Sequence, residues 1–206
     1  MSQEKATLIY VGDPMCSWCY GFAPELSEAV DALDKTVDIQ VVMGGLRPYN
    51  TQKMTDLADF LKEHWEEVNG RTGQPFSYDI LQENYAYDTE PPSRACVVVR
   101  EMKPELEMDF FKTLQTLFYV RNKDMNVVET YLPLVKEMGL DVEEFKTKFA
   151  SEEMKKAVKA DFEFAGSIGV RGFPSMVLKK GEEYILISNG YTSSDKIIKS
   201  VERVLN

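Results

Sequence analysis

The chain has 206 residues, 44% of them hydrophobic, and its 24 basic against 34 acidic side chains give a formal net charge of −10. That charge repels phosphate backbones and anionic headgroups, and no basic cluster overrides it, which excludes nucleic acid and membrane surfaces as partners. No apolar run approaches the roughly 18 residues of a membrane span. Met1-Ser2-Gln3-Glu4-Lys5 leads straight into a strand-like run rather than a leader with a small-residue cleavage site, which predicts a cytoplasmic protein. Cys16, Cys19 and Cys96 are too few for a disulfide-stapled scaffold, and in a reducing compartment they point to catalysis, metal binding or packing.

Ala6 to Val11 is a mostly apolar, partly β-branched run without polar alternation, as expected of a strand buried on both faces. Gly12-Asp13-Pro14 ends it. A helical pattern then starts near Cys16 and carries Phe22, Leu26, Ala29, Val30 and Leu33 on one face. A second strand follows from Val37 to Met43, completing a βαβ unit. Past Gly44-Gly45-Leu46-Arg47-Pro48 the periodicity turns helical and stays so. One helix is predicted along Leu57, Phe60, Leu61, Trp65 and Val68, another along Phe110 to Phe118, and a third from Met154 to Ala165, with shorter ones at Pro92–Met102 and Val127–Met138. Pro133 kinks the last of these or marks its true start. The aromatic and methionine stripes suit a core, with a binding groove as the alternative. Beyond Gly169, Ser175–Leu178 and Tyr184–Ile187 form a hairpin around Gly181, and a closing helix is capped by Ser193 or Ser194. The pattern is a small α/β unit of residues 1–47 and 168–206, interrupted by a helical insert of residues 48–167.

Cys16-Ser17-Trp18-Cys19 carries the chemistry. It sits where the first strand hands over to the first helix, where unpaired backbone N–H groups and the helix dipole favour a thiolate at Cys16. Cys19, one turn on, shares that face and can attack a mixed disulfide held on Cys16. The same spacing opens many zinc sites, but the chain adds only Cys96 and His64 as further ligands of that kind, and neither belongs to a second paired motif. Cys96 lies among small apolar neighbours and reads as packing, while His64 is placed outside the site. Pro174 cannot donate to a ladder and belongs at a strand start; the Phe173–Pro174 bond is cis or trans on this reading.

Strand, Cys16-Ser17-Trp18-Cys19, helix, strand, helical insert, and Gly172-Phe173-Pro174 before a hairpin and closing helix together resemble the DsbA-like branch of the thioredoxin superfamily. The string Asp13-Pro14-Met15-Cys16-Ser17-Trp18-Cys19-Tyr20-Gly21-Phe22 is similar to its signal-less group, which includes relatives of the protein FrnE. The resemblance implies a dithiol–disulfide oxidoreductase or isomerase with Cys16 as nucleophile and Cys19 as resolving cysteine. It further implies a cis Pro174 facing the pair, the Phe173 backbone offered to an extended substrate, and Trp18 beside the substrate. Partners are protein or small-molecule thiols and disulfides, and neither cofactor nor metal is called for. Ser17 and Trp18 lack the Pro-His pair of periplasmic members, which implies a weaker oxidant. The buried acid that many relatives carry on the strand before the motif has no counterpart in Ala6 to Val11. Asp13 acts on the cysteine pair or, the preferred reading, terminates the strand. Kappa-class glutathione transferases and 2-hydroxychromene-2-carboxylate isomerases share the insert but usually hold serine where this chain has Cys16. A thiol-holding, zinc-binding or chaperone module without turnover is the remaining alternative.

Overall fold

Among the described residues, four strands form one sheet, with helices packed against it. The computed structural model describes residues 5–206, so the expectation placed on Met1-Ser2-Gln3-Glu4 lies outside the described residues. β1 (Thr7–Gly12) pairs parallel with β2 (Asp38–Met43) and antiparallel with β3 (Ser175–Lys180), which pairs antiparallel with β4 (Glu183–Asn189). The sheet order is β2-β1-β3-β4. β1 is therefore central, and from Leu8 onward every residue is buried, as its unalternating composition requires. Gly181, at a φ of +61°, turns the β3–β4 hairpin.

α1 (Ser17–Leu33) crosses from β1 to β2 and contains Pro24. A proline there removes the helical donor to the Tyr20 carbonyl, and Gln74 Nε2 donates to that oxygen instead, at 3.2 Å. Gly21 lets α1 approach α2 (Ala58–Thr72): a Cβ at this position would lie 2.7 Å from a Val68 methyl. The remaining helices are α3 (Glu90–Met102), α4 (Glu107–Tyr119), α5 (Leu132–Glu137), α6 (Val142–Ala150), α7 (Glu152–Ser167) and α8 (Ser194–Leu205). Pro133 stands in the first turn of α5 and marks its start rather than a kink. Ser193 is the N-cap residue of α8, although its side chain closes no capping bond.

The aromatic stripes are mostly core, although Phe60 on α2 is half exposed. One continuous cluster runs from Leu8 and Tyr10 on β1 through Phe22 on α1 to Trp65, Phe111, Phe118 and Tyr119 in the helices. A smaller cluster on the other face joins Ile9, Val11, Val42 and Val177 to Ala165. Between the two, Arg100 on α3 clamps the helices to the sheet. Its guanidinium bonds Glu107 at 2.9 Å, Asp161 at 2.6 Å and the Val41 carbonyl at 3.3 Å, while Asp161 Oδ2 also accepts from Met43 N–H at 2.9 Å. Burial pushes the Glu107 carboxyl up to about 7, against the pull of Arg100. The clamp fixes the end of β2, directly before Gly44, and so helps to set one wall of the cleft.

Candidate active site

The connection from β1 to α1 is braced from several sides. Asp13 is fully buried; its Oδ1 accepts from Met15 N–H at 2.8 Å and its Oδ2 from Leu46 N–H at 2.7 Å. One carboxyl thus joins the loop before Cys16 to the loop after β2. Burial pushes this carboxyl up to about 6, opposed by the two amides. The Tyr87 hydroxyl donates to the Met15 carbonyl from the other side. Asp13 accordingly ends the strand and also braces the loop that presents the cysteines.

Cys16 is the N-cap residue of α1, with φ −87° and ψ 117°, and its Sγ accepts from Cys19 N–H at 3.4 Å. The same sulfur lies 3.9 Å from the Phe173 carbonyl, the thiol acting as donor. Phe173–Pro174 is a cis peptide bond, resolving the choice the sequence left open. Pro174 is buried at the start of β3, and its carbonyl accepts from Gly190 N–H at 2.7 Å. Gly44 makes room for Phe173, because a Cβ there would come within 2.2 Å of the ring. Cys19 is wholly buried one turn below; burial, reinforced by the Cys16 sulfur, pushes its thiol well up. Both cysteines are free thiols in this structure.

Cys16 opens into a cleft of about 170 Å³ lined by Ser17, Trp18, Leu46, Arg47, Phe60, Leu61, His64, Tyr87 and Phe173. The fold thus brings the five sequence-predicted residues to one end of the sheet: Trp18 and Phe173 line the cleft, Cys16 stands in it, Cys19 lies beneath and Pro174 adjoins Phe173. It also adds residues that the sequence reading missed. His64, placed outside the site, lines the cleft with its ring 4.8 Å from Phe60. Its spacing from Phe60 and Leu61 on one helix face was the available signal. Arg47 and Tyr87 carried none, since only the folded chain brings them to Cys16. The Arg47 guanidinium lies 5.8 Å from the Tyr87 ring centroid, and Arg71 lies between Trp18 and Tyr191 at 5.6 and 5.5 Å. Although Ser17 and Trp18 bring no cation, other segments do. Among the described residues the cleft lining includes no carboxylate.

Cys96 is buried in α3, and burial pushes its thiol well up. It does not join the pair: among the described residues no group of three or more His, Cys, Asp or Glu gathers as metal ligands would. Nor is any helix long and apolar enough to cross a membrane, again among the described residues.

A strand that delivers a cysteine to a helix N-terminus, a second cysteine one turn on, and a proline-preceded antiparallel strand opposite define a thioredoxin fold of the DsbA-like type with a large helical insertion. The chain belongs to the thioredoxin family, whose model matches residues 9–197. A candidate protein disulfide isomerase from Nitrosomonas europaea superposes with a TM-score of 0.90 at 32% identity, covering 98% of each chain. The cytosolic disulfide reductase DsbM from Pseudomonas aeruginosa does so with a TM-score of 0.80 at 25% identity, over 97% of this chain and 98% of its own; a structure of DsbM with glutathione is also similar, with a TM-score of 0.76. The ClpXP adapter protein SpxH from Bacillus cereus is 31% identical over 87% of this chain and 62% of its own length. For SpxH of Bacillus subtilis the identity is 23%, over 80% and 55% respectively, so the chain spans just over half to under two thirds of these curated relatives.

Proposed function

We propose that the protein is a thiol–disulfide oxidoreductase in which Cys16 is the nucleophile and Cys19 the resolving cysteine. The observation that carries this reading is the setting of Cys16 Sγ, which accepts an amide N–H at a helix start and faces the Phe173 carbonyl across the cleft. A thiolate so placed attacks a substrate disulfide; the resulting mixed disulfide is then attacked by Cys19, which closes the Cys16–Cys19 disulfide and releases the second substrate thiol. An extended substrate lies along the Phe173 backbone, with Trp18 and Pro174 beside it. In this reading the segments ending at 47 and beginning at 168 supply the reactive groups, and residues 48–167 roof the cleft.

The neighbouring disulfide isomerase candidate and DsbM support the class of chemistry, the first by its name isomerisation and the second reduction in a cytosolic setting. Arg47 in a cleft without carboxylates favours thiols that carry a negative charge, among them glutathione, which is present in a DsbM structure. A second reading, that of an adapter binding a partner protein without turnover, is favoured by the SpxH relatives. Cys16→Ser separates the two: it abolishes disulfide reduction with a thiol donor if the chemistry is the function, and leaves partner binding and function intact if the adapter reading holds.

A further inference from the structure

Tyr10 is the largest polar side chain in the core of β1, and its hydroxyl is buried without a hydrogen-bond partner of normal geometry. A buried hydroxyl in that state costs free energy and is seldom kept without use. Its position is well defined. The ring leans along the strand toward the reactive loop, so that a Cβ on Gly12 would lie 2.5 Å from the Tyr10 oxygen. The ring also sits 6.2 Å from Phe22, which lies one turn beyond Cys19 on the same face of α1, and edge-on to Phe111 at 5.6 Å. Cys19 stands one turn before Phe22 on that face of α1, and the two groups act on each other: the hydroxyl draws the buried Cys19 thiol down while the sulfur raises the phenol. Gly12 is what leaves it there, since any side chain at that position would displace the phenol.

We propose that the Tyr10 hydroxyl is a preplaced donor for the Cys19 thiolate, making its hydrogen bond only when charge develops on that sulfur. A thiol sulfur is a poor acceptor and a thiolate a strong one, so the unclosed contact in the dithiol becomes a charge-assisted bond during exchange. A donor weak in the ground state and strong at the reacting sulfur accelerates the step rather than merely stabilising the fold. In the forward direction Cys19 loses its proton, its thiolate attacks Cys16 Sγ of the mixed disulfide, the Cys16–substrate bond breaks, and the released substrate thiolate takes up a proton. In reverse, Cys19 leaves as the thiolate while a substrate sulfur bonds to Cys16. Tyr10 keeps its own proton throughout, because burial and the sulfur beside it hold the phenol well above its ordinary range. The strand before the cysteines therefore carries a neutral donor in the core rather than a carboxylate.

The inference rests on the proposed dithiol exchange, and a single reaction tests the two separately. The reduced protein is mixed with an aromatic disulfide whose thiol leaving group is coloured; the first release reports attack by Cys16 and the second reports resolution by Cys19. Tyr10→Phe is expected to leave the first release unchanged and to slow the second by about tenfold or more, with the pH at which the second step reaches half its maximal rate moved upward. Its melting temperature is expected to be unchanged or higher, which a merely structural hydroxyl would not combine with slower resolution. If wild type and Tyr10→Phe complete both releases at the same rates and pH, the role of Tyr10 is overturned and the exchange mechanism stands. If the wild type shows no second release, the exchange reading fails and this proposal falls with it.

Discussion

Cys16 and Phe173 stand 157 positions apart in the chain, and the sulfur of one lies 3.9 Å from the carbonyl of the other. The sheet makes this contact: β1 delivers Cys16 to its end, and β3, antiparallel beside it, starts where β1 stops, with Val11 opposite Ser175. Gly44, just past β2, completes the arrangement by leaving space for the Phe173 ring.

Gly44→Ala is expected to push that ring out of place. Phe173 is half-buried and can yield, so stability should fall by only about 1–2 kcal/mol, within the usual cost of overpacking. Exchange with extended peptide substrates should fall much more, because the backbone they would pair with moves. Denaturation midpoints and peptide disulfide reduction, measured side by side, check this; equal losses with Phe173→Ala already in place would point elsewhere than the ring.

Asp13→Ala leaves the buried Met15 amide and the part-buried Leu46 amide without their acceptor and should cost about 1–3 kcal/mol. The dependence on pH has a definite sign. Since the folded carboxyl titrates near 6 and the unfolded one near 3.8, the folded state binds the proton more tightly. The proton-linked part of the stability Asp13 contributes is therefore full below about pH 4 and is lost as pH rises through about 6. Wild type should exceed Asp13→Ala by more at pH 4 than at pH 7, by up to about 3 kcal/mol. Glu107, also raised, is present in both proteins and cancels in the difference. Urea denaturation at the two pH values reads it out, and a gap that widens toward neutral pH would contradict the assignment.

Arg100→Ala strands Glu107 and Asp161 together in the interior, with an expected loss of about 3–5 kcal/mol. Arg100→Lys should recover little of it, since an ammonium cannot fork between two carboxylates and the Val41 carbonyl. Thermal unfolding of the two variants measures both effects.

Arg47→Ala should weaken exchange with glutathione disulfide by about tenfold, the worth of one charge-assisted contact, while a neutral dithiodiethanol substrate changes little. Raised salt should reduce the wild-type preference for the charged substrate in the same direction. Equal effects on the two substrates would remove Arg47 from substrate selection.

Much of this fold was legible along the chain because its signals are local. The unalternating run of β1, the cysteine pair at a helix start, the proline before β3 and the Gly181 turn each announce themselves within a few residues. α6 was not foreseen, since Phe145 and Phe149 supply only a thin apolar face; its start was marked by Asp141, whose side chain accepts from Glu144 N–H at 2.8 Å. The cleft was the least legible part. Arg47 lies on the loop after β2, His64 on α2 and Tyr87 on an extended segment; only His64, on one helix face with Phe60 and Leu61, left a local signal, and no spacing records its meeting with Cys16. The Asp13 brace escaped for the same reason, because its partner amide at Leu46 lies beyond a whole βαβ crossover.

The central claim is that Cys16 carries the substrate and Cys19 releases it. Expressing Cys19→Ala in cells and separating thiol-blocked extracts under non-reducing conditions tests this most directly. The account predicts mixed disulfides that accumulate on Cys16, vanish on reduction and are absent from Cys16→Ser/Cys19→Ala. Recovery of Cys19→Ala with a free Cys16 and no bound thiol would contradict it.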